Sequence, residues 1–183
     1  MIQRPLKYVD RLQSRERADI GRVVIHATEL PDLATAREYG ERLRYAQSGT
    51  GNSGHFYIDR NGQIEQWVPI DRVAHHVRAH NADSIGIELV NRGRWPHWLD
   101  SRSQDWPENY PETQIQALIA LLMQLRDELP ALAEIAGHDQ LDVEWVEASD
   151  DATRKVRRKT DPGPGFPWPQ LLQATGLKRA GHE

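Results

Sequence analysis

Apolar positions along this chain follow two different periods. From Arg22 to Ala27 a short β-branched run lies between Gly21 and the turn-forming stretch Glu29 to Pro31, which predicts a buried strand with His26 near its C-terminal end. His55 to Asp59 and Gln63 to Val68 are strand-like runs on either side of Arg60-Asn61-Gly62, and an Asn-Gly step in that place predicts a hairpin. Ser84 to Val90 is almost continuously apolar, as in a sheet covered on both faces, except for Gly86 and Glu88. A carboxylate inside such a strand needs a reason to be there. Between these runs the period changes to that of a helix. Asp32 is placed to cap a helix running through Ala36, Tyr39 and Leu43 and ended by the loop Ser48 to Gly54. Ile115, Leu118, Ile119, Leu122, Leu125 and Leu129 mark a longer helix over Thr113 to Glu128. Thr113 with Gln116 would form its capping box and Pro130 would stop it. A short apolar stretch, Ala133 to Ala136, then leads into Gly137-His138, and no internal repeat is visible.

This alternation predicts an α/β fold: a single domain with a central sheet flanked by α-helices. Residues 21–175 would form that domain. Residues 1–20 read as a polar N-terminal segment that could pack, dangle or gate, and 176–183 as a C-terminal tail too short for an added wall-binding module. A length of 183 residues suits one core.

Composition narrows the partners. A formal net charge of −4 argues against nucleic acid bound through bulk electrostatics. No apolar run approaches the ~18 residues of a membrane-spanning helix. Met1 to Lys7 is basic but has no apolar stretch after it, so no secretory signal is visible and the cytoplasm is the expected location. The absence of cysteine excludes disulfides and fits a reducing compartment, although exported proteins also manage without them.

Candidate chemistry lies in three distant segments: Val23-Val24-Ile25-His26, Gly137-His138-Asp139 and Lys159-Thr160-Asp161-Pro162-Gly163-Pro164. Two imidazoles and a carboxylate form a ligand set suited to Zn²⁺ with one position left open to water, and a lysine two residues before the carboxylate adds fixed positive charge. The combination suggests hydrolysis. Each residue alone has a plainer reading. His26 or His138 could be a hydrogen-bonded structural imidazole, Asp161 could organise a turn, and Glu88 could pair with a buried arginine. Lys159 could be one more member of the basic run Arg154 to Lys159 on a solvated face.

The ordered set Val24-Ile25-His26, Gly54-His55-Phe56-Tyr57-Ile58, Asn61-Gly62, Ser84-Ile85-Gly86-Ile87-Glu88, Gly137-His138 and Lys159 to Pro164 resembles the zinc-dependent N-acetylmuramoyl-L-alanine amidases. These share a fold with peptidoglycan recognition proteins, and the likeness runs from His26 to Trp168. It implies a central mixed sheet, one Zn²⁺ per chain on His26, His138 and Asp161, Glu88 as general base and Lys159 beside the oxyanion. It also implies peptidoglycan fragments or muropeptides as partners, acted on at the amide between N-acetylmuramic acid and L-alanine; a monomer is the expected state. His76 falls in a cleft-lining segment, and it and Asn81 are candidates for substrate contact. The likeness gives no metal role to His75 or His80, and His55 reads equally well as a structural imidazole. Some relatives have a catalytic tyrosine where Gly54 stands here, a departure that favours Glu88 for proton transfer.

Three alternatives stay open: a non-catalytic peptidoglycan sensor of the same fold, a zinc hydrolase for another amide, and export or phage release rather than cytoplasmic recycling. Trp95, Trp98 and Trp106 sit in a proline-rich loop, where packing is a better explanation than sugar stacking.

Overall fold

The computed structural model describes residues 1–180. Among these described residues the chain order is β1 (Ile2–Gln3), β2 (Arg22–Ala27), α1 (Leu33–Gly40), β3 (Phe56–Ile58), β4 (Ile64–Gln66), β5 (Ser84–Leu89) and α2 (Glu112–Glu128). β6 (Glu134–Gly137), α3 (His138–Leu141), β7 (Trp145–Glu147), β8 (Lys155–Arg157), α4 (Trp168–Thr175) and β9 (Lys178–Arg179) follow. Seven of the strands form one sheet in the order β1-β4-β3-β5-β2-β6-β9, and β7 pairs with β8 apart from it. The Asn-Gly hairpin makes the antiparallel β3–β4 pair, whereas β3–β5, β5–β2 and β2–β6 are parallel. The sheet is therefore mixed, as the likeness implied.

Strand alternation sends side chains to two different layers. On β5, Ile85, Ile87 and Leu89 join Val23 and Ile25 of β2 beneath Ile115, Leu118, Leu122 and Leu125 of α2, forming the larger apolar core. Ser84, Gly86 and Glu88 face the other way, as does His26. On that side a second cluster holds Leu6, Tyr8 and Leu12 from the N-terminal segment with Ala36 of α1, Tyr57 and Trp67. The N-terminal segment is tied to β4 and the residues after it, where Arg4 and Leu6 donate backbone hydrogen bonds to the carbonyls of Gln66 and Trp67. At the opposite edge β9 pairs with β6. Of the expected tail, residues 181–183 lie outside the described residues.

Two helix limits differ from expectation. The first helix stops at Gly40, and Leu43 lies beyond it at 59% exposure. The hydroxyl of Tyr8 donates to the Gly40 carbonyl at 2.7 Å, so a side chain satisfies an acceptor that a further turn would have used. The second helix starts at Glu112, with Pro111 in the capping position and no capping side chain. Thr113 donates instead to the Arg60 carbonyl at 2.8 Å, tying the helix start to the hairpin, and Gln116 bonds Glu112. At the first helix, Asp32 does accept from the Thr35 amide at 2.7 Å.

Candidate metal centre

Strand register puts the polar residues in a row. Tyr57 is level with Glu88 across β3–β5, and Glu88 with His26 across β5–β2. Ile25 is level with Gly137 across β2–β6, which brings His138, the next residue, beside His26. Parallel neighbours at one level point to the same face, so Tyr57, Glu88 and His26 emerge together near the C-terminal ends of their strands. Asp161 arrives from the loop after β8, held where the Asp139 amide donates to its carbonyl at 2.9 Å.

Three ligand atoms converge there. His26 Nδ1 lies 2.9 Å from His138 Nδ1, and both lie 3.1 Å from Asp161 Oδ2. All three residues are buried, at 2%, 3% and 2% exposure. Burial, reinforced by His138, lowers His26 to a pKa of about 4. Burial alone would raise Asp161, but its contacts with His138 and His26, and Lys159 nearby, hold it well below the usual carboxylate range. A neutral imidazole and an ionised carboxylate are the forms that bind a metal.

These residues fit a zinc ion. A triangle with edges of 2.9 to 3.1 Å allows its three corners to reach one centre at the ~2.0–2.2 Å of zinc–nitrogen and zinc–oxygen bonds. Within this set the buried Asp161 Oδ1 has no hydrogen-bond partner, an orphaned carboxylate oxygen of the kind an ion would take up. Among the described residues it is the one His/Asp/Glu group whose ligand atoms meet closely enough, within 4.8 Å, to hold an ion.

The cluster opens on a cavity of about 510 Å³ that Glu88 and Lys159 also line. Glu88 is raised to about 8 by burial first and then by Asp161, against the opposing pull of Lys159. Gly54 gives it room, since a Cβ there would come within 2.9 Å of Glu88 Cγ. Asn81 and His76 line the same cavity. Asn81 Oδ1 accepts the backbone amides of His76 and Val77 at 2.9 and 2.8 Å, which fixes the turn that carries His76. The His76 ring reaches His26 Nε2 at 3.0 Å.

His55 is fully enclosed: its Nδ1 accepts from the Gly86 amide at 3.0 Å and its Nε2 meets the Arg72 carbonyl at 3.0 Å. Burial lowers it to about 3, as for a structural imidazole. Trp98 and Trp106 pack with each indole N–H on a polar acceptor, the Glu29 carbonyl and the Thr160 hydroxyl. Trp95 packs against the second core cluster.

Sequence reasoning missed the ion pair behind the centre. Arg94 and Glu29 are 1% and 6% exposed at their side chains and bond at 2.7 Å. Arg94 also donates to the Arg157 carbonyl at 3.0 Å, so it braces the strand that leads to Lys159 and Asp161. Tyr57 was missed as well. It stacks on Trp67 at 3.4 Å between ring centres, and its hydroxyl accepts the Gly54 amide at 3.1 Å.

Known proteins share this arrangement of sequence and fold. The chain is 34% identical over 134 residues to the 1,6-anhydro-N-acetylmuramyl-L-alanine amidase AmpD of Salmonella typhimurium (strain SL1344), covering 68% of this chain and 58% of that protein. The chain thus spans a little over half the length of that relative. The solved structure of the N-acetylmuramoyl-L-alanine amidase LysC from Clostridium intestinale superposes with a TM-score of 0.67 over 97% of both chains at 20% identity, which establishes the fold. At 28% identity, the complex of the amidase AmiD from E. coli with the substrate anhydro-N-acetylmuramic acid-L-Ala-D-gamma-Glu-L-Lys superposes with a TM-score of 0.63, covering 90% of this chain and 60% of that one. The family model described as N-acetylmuramoyl-L-alanine amidase matches residues 16–164, and the chain belongs to that family, Amidase_2.

Proposed function

We propose that this chain hydrolyses the amide between N-acetylmuramic acid and L-alanine in peptidoglycan fragments, using one Zn²⁺ held by His26, His138 and Asp161. The observation that carries this reading is that a buried, convergent His-His-Asp cluster shares one cavity with a carboxyl and an ammonium group. Zn²⁺ in that place would polarise the scissile carbonyl and acidify a water molecule. The remaining work falls to side chains.

Glu88 as carboxylate takes a proton from the attacking water while the new C–O bond forms. It then gives that proton to the L-alanine nitrogen as the C–N bond breaks. In the metal-free protein burial and then Asp161 raise this carboxyl towards neutrality, and catalytic acid–base groups work best with a pKa close to the operating pH. Lys159 faces the negative charge that develops on the carbonyl oxygen, where a cation in a poorly hydrated pocket is most effective. His76 and Asn81 would form part of the wall against which the muropeptide lies. With both ring nitrogens engaged inside the protein, His76 would meet a ligand through its ring face.

Among the described residues no helix is long and apolar enough to cross a membrane. We place the chain in the recycling of anhydromuropeptides in the cytoplasm, in line with its likeness to AmpD. The test is product analysis by mass spectrometry. Purified protein should release free stem peptide from anhydromuropeptide when metal is present and not when it is chelated, and should cut intact sacculi more slowly. Intact muropeptide under both metal conditions would contradict the enzymatic reading, and faster cleavage of sacculi would contradict the recycling role.

A further inference from the structure

His26 can meet a metal through Nδ1 only if the proton of its neutral ring sits on Nε2. Three acceptors compete for that proton: His138 Nδ1 and Asp161 Oδ2 next to Nδ1 at 2.9 and 3.1 Å, and His76 Nδ1 next to Nε2 at 3.0 Å. Which one takes it depends on how His76 is itself protonated.

Hydrogen-bond direction settles this from the far end. Ser84 is buried and its hydroxyl donates to the backbone carbonyl of His80, which can only accept. The single Ser84 proton is thereby spent. His76 Nε2, 3.3 Å from the same oxygen, must then donate to it. A neutral His76 with its proton on Nε2 has a bare Nδ1, the acceptor that His26 Nε2–H needs.

We propose that His76 and Ser84 are positioning residues for the metal centre, a one-way hydrogen-bond chain from the His80 carbonyl that sets the His26 tautomer and leaves its Nδ1 free for the ion. The backbone is shaped for this contact. Gly86 lies beneath His76, and a Cβ at that position would come within 2.5 Å of its ring. Asn81 Oδ1 holds the His76 amide at 2.9 Å. His138 has no comparable support, since its Nε2 is buried without a partner, so the orienting task rests on the His26 side.

The inference rests on His26 being a ligand, and its test separates the two claims. Zinc affinity is measured by chelator competition on wild type, His76→Phe, His76→Asn and Ser84→Ala, with folding checked by circular dichroism. Two-bond ¹H–¹⁵N spectra then locate the ring protons in the zinc-loaded wild type. Outer-shell partners of metal-binding histidines commonly contribute about 10–100-fold to metal affinity. His76→Phe should lose affinity on that scale, and Ser84→Ala should lose less. His76→Asn keeps an acceptor near the Nδ1 position and should recover most of the loss. Both His26 and His76 should carry their proton on Nε2. Unchanged zinc affinity in folded His76→Phe, or a proton on His76 Nδ1, would overturn the chain while leaving the metal site intact. Failure of wild type to bind zinc would instead overturn the metal reading on which this one stands.

Discussion

Glu88 is an acidic residue in a strand whose neighbours are apolar, and its position explains both its cost and its use. In the metal-free protein burial and then Asp161 raise it to about 8, which puts its proton exchange near neutrality. Glu88→Gln keeps the shape and removes the proton acceptor. It should cut kcat by about 10²–10⁴-fold while zinc content stays at the wild-type level, read from steady-state rates alongside metal analysis. Lys159→Met should lower kcat by about 10²–10³-fold, on the scale of other charge-stabilising groups, and substrate affinity measured on a Glu88→Gln background should move far less. The proposed ligand residues and both of these groups stood out in the sequence because each breaks a local pattern or lies in a recognisable motif. Arg94 and Glu29 did not, because nothing local in the sequence joins residues so far apart. Their pairing is visible only once the loop after β5 brings Arg94 to Glu29.

At the level of elements, strands and helices were legible where a hydrophobic period was long or a turn was chemically marked. The β3–β4 hairpin follows from Asn-Gly, and α2 from apolar residues at helical spacing. Helix ends were less legible because tertiary partners decide them: the Tyr8 hydroxyl at Gly40, and the Arg60 carbonyl that takes up Thr113. The small strands β1, β7, β8 and β9 have two or three residues each, too short to show a period.

Two element-level outcomes follow. Leu118→Ala removes a fully buried side chain between α2 and the sheet and should cost about 2–5 kcal/mol in urea unfolding. Arg94→Met leaves Glu29 buried without its partner and should cost about 3–5 kcal/mol. The same change should lower activity, because the strand leading to Asp161 loses its brace. A fully stable and fully active Arg94→Met would show that the brace is unnecessary.

Across the whole molecule, buried neutral histidines link stability to pH. In the metal-free protein His55 titrates near 3, His26 near 4 and His76 well below its ordinary value, all chiefly through burial. The unfolded chain takes up these protons near about 6.5 and the folded one does not. Stability must therefore fall as pH drops below that point, by up to about 1.4 kcal/mol per pH unit for each histidine. Glu88 and Asp139 act in the opposite sense, since each is raised in the fold and holds a proton that the unfolded chain releases. Three groups outweigh two, so urea unfolding of chelated protein should show lower stability at pH 5 than at pH 6.5. Equal or greater stability at pH 5 would contradict this balance.

The most direct measurement of the central claim is anomalous diffraction at the zinc edge from crystals of the metal-loaded protein. One peak per chain is predicted, bonded to the Nδ1 atoms of His26 and His138 and to a carboxylate oxygen of Asp161. No peak between those three residues, or a zinc ion held elsewhere in the chain, would contradict it.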